Sequence, residues 1–362
     1  MAALRSAESG CLIIADVSGY TEYLLASELE HAQDVVADLR ATVVDALQPV
    51  LRLSGLEGDA AFAYALEQDI DASMLLDTIE SAYFAFRRRL RDVQRATSCP
   101  CNACMLIPTL ELKFVAHHGR FVRSGHDLTG TDVILVHRLL KNGVADAFGL
   151  RGYALLTDAC TEAVGLDPAA LGLRRHVERY DDVGEVPGWV EDLEARWADE
   201  QERRRILIPD EDLAVEVELQ LPVPPALAWE LFTSPEPRRQ WQGSDRVDER
   251  TAGGRRGEGT TTHCVHGTST IVEQVLEWRP FRSYAIRSRI PRLGTVLIAT
   301  ELEESATGTH VRSRFSKPLG RRLIWPLVSR SFRRRLEEQA ERLRELARQG
   351  PDAAREPDLV AR

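Results

Sequence analysis

The chain has 362 residues, 44% hydrophobic and 28% charged, with a formal net charge of −10. That length exceeds one ordinary core, so two domains are expected, and the balance excludes a disordered chain. No apolar run reaches the roughly 18 residues of a membrane-crossing helix, which excludes a transmembrane segment. The charge is uneven. Residues 1–200 hold 18 Lys and Arg against 32 Asp and Glu, a net of −14, while residues 201–362 hold 28 against 24, a net of +4. An acidic first half lacks the basic stripe of a nucleic-acid surface, so no nucleic-acid partner is expected. The apolar run Cys11–Ala15 is too short for a signal peptide, so a cytoplasmic location is expected. In that compartment six cysteines read as thiols or metal ligands rather than a disulfide framework. Arg supplies nearly all the positive charge; the lysines are Lys113, Lys141 and Lys317.

In chain order, Gly10–Ala15 reads as a buried strand ending at Asp16. Thr21 is the expected N-cap of a helix from Glu22 to about Leu47, whose apolar positions keep helical spacing until Pro49. Val50–Leu53 and Ala60–Ala65 read as a hairpin turning at Ser54–Asp59. A second helix is expected over about Asp71–Ala96, then a cysteine-bearing interruption, a strand over Leu110–His118, and a helix from Val133 to Asn142. A short strand at Tyr153–Leu156 and a closing hairpin over Arg175–Val183 and Gly188–Leu193 complete the first part. The order predicts an α+β, ferredoxin-like domain over residues 1–200, with helices on one face of a sheet. Residues 201–211 are highly charged and read as a linker. The second domain, 212–349, opens with the alternating strand Leu213–Leu221. A Pro-led helix over Ala228–Phe232 follows, then strands between about Gly257 and Phe315 and a long helix over about Ile324–Arg348. Residues 350–362 read as a disordered tail.

The sharpest chemical signal is Asp16-Val-Ser-Gly19-Tyr20-Thr21, followed by Gly58-Asp59-Ala60. Each places an aspartate at a strand edge beside a glycine turn. Two such carboxylates on neighbouring strands can share divalent metal ions, which prefer hard oxygen ligands. The turn after Asp16 also presents backbone N–H groups at a helix start, a seat for a triphosphate. The plainer alternative is that both aspartates cap their turns.

These motifs, with His117-His118-Gly119, Asp127-Leu-Thr-Gly130-Thr-Asp-Val133 and Arg138-Leu139 in the same order, resemble the class III nucleotide cyclase domain over about residues 10–195. Glu30-His31-Ala32-Gln33 and the cysteine insert resemble, more narrowly, the cyclase-like family DUF2652. The resemblance implies that Asp16 and Asp59 bind Mg2+ or Mn2+, that Gly19, Tyr20 and Asp127 contact a purine nucleotide, and that Arg138 stabilises the transition state. It further implies a homodimer through the first domain, because each site takes its metal aspartates from one subunit and Asp127 and Arg138 from the other. Three positions depart from the family. Gly55 stands where a purine-reading lysine is expected, Ile134 where an asparagine is expected, and Tyr180-Asp181-Asp182-Val183-Gly184 carries no phosphate-binding lysine. Each missing polar contact at a transition state costs on the order of a hundredfold. A degenerate, nucleotide-sensing or regulatory domain is therefore expected, with an active metal-dependent cyclase as the alternative.

Cys99-x-Cys101-x-x-Cys104 offers three thiols, one short of a zinc set; Cys160, His117 and His118 are candidate fourth ligands, and a redox role or a structural turn are the other readings. In His263-Cys264-Val265-His266, strand alternation puts Cys264 and His266 on one face and His263 on the other, as expected of core or pocket-lining residues. Arg333-Arg334-Arg335 reads either as a solvated helix face or as one that touches anionic lipid. The second domain, with Ala228-Trp229-Glu230-Leu231-Phe232, Trp241, Glu277-Trp278-Arg279-Pro280-Phe281 and its long last helix, resembles the START-like, polyketide-cyclase-type helix-grip fold (SRPBCC). That resemblance implies an apolar cavity for a lipid or other apolar small molecule. The sequence offers no convincing acid–base pair for it, so binding rather than catalysis is expected. A carrier whose first domain only dimerises is a further alternative.

Overall fold

A strand whose every residue from Cys11 to Val17 is small or apolar, Asp16 excepted, has to be covered on both sides. The computed structural model describes residues 6–27, 29–96, 102–202, 205–319 and 325–349, and in it this strand, β1 (Glu8–Ser18), lies inside a sheet. The other strands of that sheet are β2 (Arg52–Glu57), β3 (Ala60–Leu66), β4 (Glu111–Ser124), β5 (Asp127–Thr129), β6 (Tyr153–Thr157), β7 (Arg174–Tyr180) and β8 (Gly184–Asp192), in the order β2-β3-β1-β4-β6-β8-β7 with β5 hung from β4. β1 is antiparallel to both neighbours, while β4 and β6 run parallel.

The helices are α1 (Tyr20–Ala26), α2 (Leu29–Leu47), α3 (Ala72–Ala96), α4 (Asn102–Leu106), α5 (Thr131–Arg138), α6 (Val144–Phe148), α7 (Asp158–Ala163) and α8 (Leu193–Glu202). They cover both faces of the sheet, not one. Cys11, Ile13 and Ala15 pack into a core with α2 and α3, while Leu12 and Ile14 pack into a second core with Val133 and Val136 of α5. The period-2 alternation of β1 feeds both cores, which is why its apolar run is unbroken.

The helix expected from Glu22 is interrupted. Ser27 adopts an extended backbone (φ −121°, ψ 159°), and Gly19 rather than Thr21 is the N-cap of α1. The hairpin turn is tighter than expected, because β2 continues to Glu57 and Gly58 takes the left-handed conformation at φ 64°.

The second sheet is wholly antiparallel. Its strands are β9 (Leu213–Leu221), β10 (Arg246–Arg250), β11 (Thr261–His266), β12 (Ser269–Arg279), β13 (Ser283–Ile290), β14 (Gly294–Ser305) and β15 (Gly308–Ser316), ordered β10-β11-β12-β13-β14-β15-β9. α9 (Pro225–Thr233) and the unexpected α10 (Pro235–Gln242) follow β9, and α11 (Trp325–Gln349) closes the unit against β9 and α10. Irregular pairing at Val275/Glu277 and Phe315/Ser316 bends the strands so that the sheet curves. Trp229 is the largest buried side chain, edge-on to Trp278 at 4.7 Å, Tyr284 at 5.7 Å and Phe281 at 6.1 Å.

The chain divides into two units, Met1–Arg203 with Gly253–Arg255, and Arg204–Ala252 with Arg256–Arg362. The α+β expectation holds in each. Among the described residues no helix is long and apolar enough to cross a membrane. The tail at 350–362 lies outside the described residues.

Trp229→Ala in the full chain should cost about 3–5 kcal/mol, the range for emptying a buried aromatic site. Urea unfolding followed by circular dichroism measures it; a loss under about 1 kcal/mol would contradict the central packing assigned to this ring.

Candidate functional site

β1 ends its buried run at Asp16, which is in register with Ala60 of β3 on one side and Lys113 of β4 on the other. Asp59 immediately precedes Ala60, so the two aspartates come close together where β1 ends beside the β2–β3 turn, inside the sheet rather than at its edge. Lys113 Nζ lies 3.2 Å from Asp16 Oδ2, with each side chain only 18% exposed, and donates to the Leu140 carbonyl at 3.0 Å. Burial, and then the charge of Asp16, push the Asp59 carboxyl above its ordinary range, while Lys113 and Arg40 pull it back. Arg40 Nη1 also donates to the Gly58 carbonyl at 2.5 Å, tying the turn to α2.

Sequence reasoning counted Lys113 but did not place it. Its signal was strand parity: Phe114 and Ala116 enter one core, so Lys113 and Val115 face the other way, as Ile14 and Asp16 do. Two crowded carboxylates with hard oxygens suit Mg2+ or Mn2+, which complete their shells with phosphate and water. Such an ion would compete with the ammonium of Lys113 for Asp16. Among the described residues no three His, Cys, Asp or Glu side chains converge as a fuller ligand set.

The remaining predicted residues are distributed around this pair. Gly19 is left-handed at φ 83°, and a Cβ there would stand 3.0 Å from the Thr109 carbonyl. Tyr20 packs against the core beneath α1. The helix that Gly19 opens is seven residues long, and the Gly19 carbonyl accepts from Tyr23 N–H at 2.9 Å. Asp127 begins β5 on the exposed surface. Arg138 ends α5 and is ion-paired with Asp182, whose carboxyl it holds below the usual range. Ile134, one turn earlier, is 58% exposed. Among the described residues, neither Asp127 nor Arg138 makes a hydrogen bond or ion pair to Asp16 or Asp59.

Of the cysteine cluster, Cys99 and Cys101 lie outside the described residues, and Cys104 is placed only by its backbone in α4. Cys160 is buried in α7, its thiol raised by a hydrogen bond with Cys11 and by burial. His117 meets Thr157 Oγ1 at 2.9 Å through Nδ1 and Asp132 Oδ1 at 3.5 Å through Nε2, and burial lowers its basicity. Its two ring nitrogens are engaged locally.

In the second unit a cavity of about 150 Å³ lies between the curved sheet and α11. Val217, Leu219, Phe232, Ile286, Ile298 and Leu343 supply apolar wall. Cys264 and His266 line it as alternation predicts. Against expectation, it also holds a buried ion pair: Arg238 Nη2 donates to Glu273 Oε2. Thr262 Oγ1 at 3.5 Å and Cys264 Sγ at 3.9 Å also accept from Arg238, and Ser288 Oγ donates to Glu273 Oε1 at 3.4 Å. Burial pushes the Tyr284 hydroxyl and the Cys264 thiol each up to about 12. The pair was missed because Arg238 belongs to α10, whose Ser234-Pro-Glu-Pro237 start reads as a loop. Glu273 carried a signal, a charge on the face that β12 shares between Ile271 and Val275.

Residues 36–147 match the family described as "Protein of unknown function (DUF2652)", and residues 212–348 the family described as "Polyketide cyclase / dehydrase and lipid transport". These are the two families the motifs resemble. An uncharacterized protein of Mycobacterium tuberculosis is 34% identical over 133 residues, 36% of this chain; the chain spans 60% of the length of that relative. Among solved structures, a bacterial light-regulated adenylyl cyclase is similar with a TM-score of 0.40 at 9% identity, over 53% of this chain and 54% of that one. A Mesorhizobium loti protein is similar with a TM-score of 0.30 at 18% identity, over 36% of this chain and 96% of that one.

The raised carboxyl of Asp59 makes a signed prediction. Between its unfolded and its higher folded pKa the native state binds more protons, so stability falls as pH rises through that window. Asp59→Asn should remove this fall and raise the midpoint of thermal unfolding at pH 7, by a shift on the order of 1–2 °C because the group is half-exposed and screened. Melts at pH 4, 5.5 and 7 check it. A lower midpoint for the variant at pH 7 would show that the carboxylate is stabilised where it stands.

Proposed function

We propose that this protein is a ligand-responsive regulator. Its second unit binds an apolar small molecule, and its first unit is a degenerate cyclase-like domain that senses a purine nucleotide rather than cyclising it. The observation that carries this reading is the cavity between α11 and the curved sheet, whose apolar walls enclose a space of about 150 Å³. The description of the family matched by residues 212–348, which includes lipid transport, agrees with it.

In the first unit, Asp16 and Asp59 would hold Mg2+ or Mn2+ against the nucleotide's phosphates; the ion supplies charge neutralisation there. Lys113 competes for Asp16, so binding depends on an ion strong enough to displace it. Gly55 and Ile134 provide no polar contact for a purine or for a substrate positioned for attack. Arg138 is held by Asp182 in the single chain. A homodimer would bring a second chain's Asp127 and Arg138 to Asp16 and Asp59, and nucleotide binding would then require two chains.

The full-length chain should bind a fluorescent apolar probe saturably. Ile286→Trp, which fills the cavity, should weaken that binding by about tenfold or more while the circular dichroism melt stays cooperative. With ATP or GTP and Mn2+, calorimetry should register binding that Asp16→Ala abolishes, and chromatography should find no cyclic nucleotide. Cyclic product that disappears in Asp59→Ala and in Arg138→Ala, and returns when the two variants are mixed, would establish the active cyclase instead. Absence of saturable probe binding would overturn the ligand-binding half of the proposal.

A further inference from the structure

The cavity of the second unit opens beside a groove of about 530 Å³, and Gln242, Phe332, Arg335 and Gln339 are walls of both. The two spaces differ in charge. Inside, the guanidinium of Arg238 is matched by Glu273, so the interior offers hydrogen bonds but no net charge. At the mouth stand Arg292, Arg334, Arg335 and Arg342, with Glu338 as the acid among the groove's lining residues. Glu338 is 3.4 Å from Arg334. Among the described residues, neither Arg335 nor Arg342 has a carboxylate within ion-pairing distance.

Each of these two arginines lies on exposed α11 surface beside the turn that follows α10. Arg335 Nη2 lies 3.4 Å from His266 Nδ1, and the same Nδ1 lies 3.3 Å from the Gly243 carbonyl. One imidazole nitrogen cannot donate to the carbonyl and accept from the guanidinium at once. Burial and the nearby Arg335 charge both lower the basicity of His266. Arg342 lies against the turn that ends α10: Gly243 is left-handed at φ 64°, and a Cβ there would come within hard contact of Arg342 Nη1. The left-handed turn itself accounts for the glycine. The turn between β13 and β14 brings Arg292 to the same groove, in a left-handed conformation at φ 68° that a non-glycine residue rarely adopts.

We infer that the ligand is an amphiphile with a terminal oxyanion, its apolar body in the cavity and its carboxylate, phosphate or sulfate end on Arg335 and Arg342. This rests on the proposed apolar cavity and adds the chemistry of its mouth. Guanidinium forks suit oxyanions because they present paired donors in a plane. A neutral interior rejects the charged end, since burying an unpaired charge is costly, and a cationic rim accepts it. The same surface could instead meet an anionic bilayer; that is a different partner and an outcome of the test.

The full chain is titrated calorimetrically with 4-phenylbutanoic acid and with its methyl ester, which share one apolar body of a size that a space of about 150 Å³ admits. The acid should bind about tenfold tighter than the ester, the size expected for charge-assisted hydrogen bonds to a half-exposed anion. In the R335Q/R342Q double variant that ratio should fall to about twofold or less, while R348Q, an exposed α11 arginine paired with Glu345, should keep it. Equal binding of acid and ester by the unaltered chain would overturn this inference and leave the apolar cavity standing. Saturable binding of neither probe would overturn the cavity itself. Co-sedimentation with phosphatidylcholine vesicles containing phosphatidylglycerol, together with no binding of the free acid, would assign the arginines to a membrane surface and overturn the ligand assignment.

Discussion

A carboxylate at the end of a strand buried on both faces cannot stand uncompensated, and the first unit is arranged around that constraint. β1 supplies apolar side chains to two cores in alternation, and the next inward position after Ile14 is Asp16. Moving the pairing by one residue would turn every core side chain to the wrong face, so register is strongly specified. With register fixed, Asp16 is brought opposite Lys113 on β4 and next to the turn that carries Asp59. The ion pair at 3.2 Å therefore follows from the packing of the two cores. In a chain with three lysines, one is spent on neutralising this carboxylate. Among the described residues Asp59 has no such ion pair, and its raised carboxyl reflects burial next to a second acid.

The second unit meets the opposite problem, an enclosed space that is kept open. Close packing is the default for protein interiors, and a void forfeits contacts on every wall. Here Trp229, wedged among Trp278, Tyr284 and Phe281, fills one end of the barrel-like interior and leaves the region under α11 free. Bulged pairing in β12 and β15 curves the sheet over that space. The Arg238–Glu273 pair then pins α10 to β12 at the cavity wall. Removing either partner would leave a buried charge alone, so the pair is a structural commitment as much as a feature of the site.

Local pattern made much of this legible. β9, with Val215, Val217 and Leu219 alternating against Glu216, Glu218 and Gln220, has the bounds its sequence predicts, and α11 runs through the described residues where its spacing places a helix. The facing of Cys264 and His266 followed from parity alone. What could not be read were features set by distant segments or by backbone breaks that keep helical spacing. Ser27 interrupts a pattern that stays apolar on both sides, so periodicity carried the expected helix straight across it. α10 begins Pro235-Glu-Pro237, where prolines that suit a first helical turn look like those of a loop. Lys113 reaches Asp16 across strand pairing, and Arg238 reaches Glu273 across a helix–sheet contact; single-sequence spacing registers neither. The second face of helices was missed because an apolar run such as Cys11–Ala15 says that a strand is buried without saying what covers each side.

The two sites share one electrostatic logic. In each, the most buried charge is already neutralised within the chain, Asp16 by Lys113 and Arg238 by Glu273. A ligand gains little from a charge that has a partner, because it must first break that pair in a medium of low dielectric. In the proposed reading, selectivity would pass outward to groups without an ion pair among the described residues: the half-buried Asp59 at one site, and Arg335 and Arg342 at the cavity mouth at the other. A cation that settles on Asp59 relieves repulsion from Asp16 and weakens the hold of Lys113 in the same step. An anion at the cavity mouth meets guanidinium groups without disturbing the pair inside. The internal ion pairs hold the architecture, and in the proposed reading the unmatched charges beside them would decide what each unit recognises.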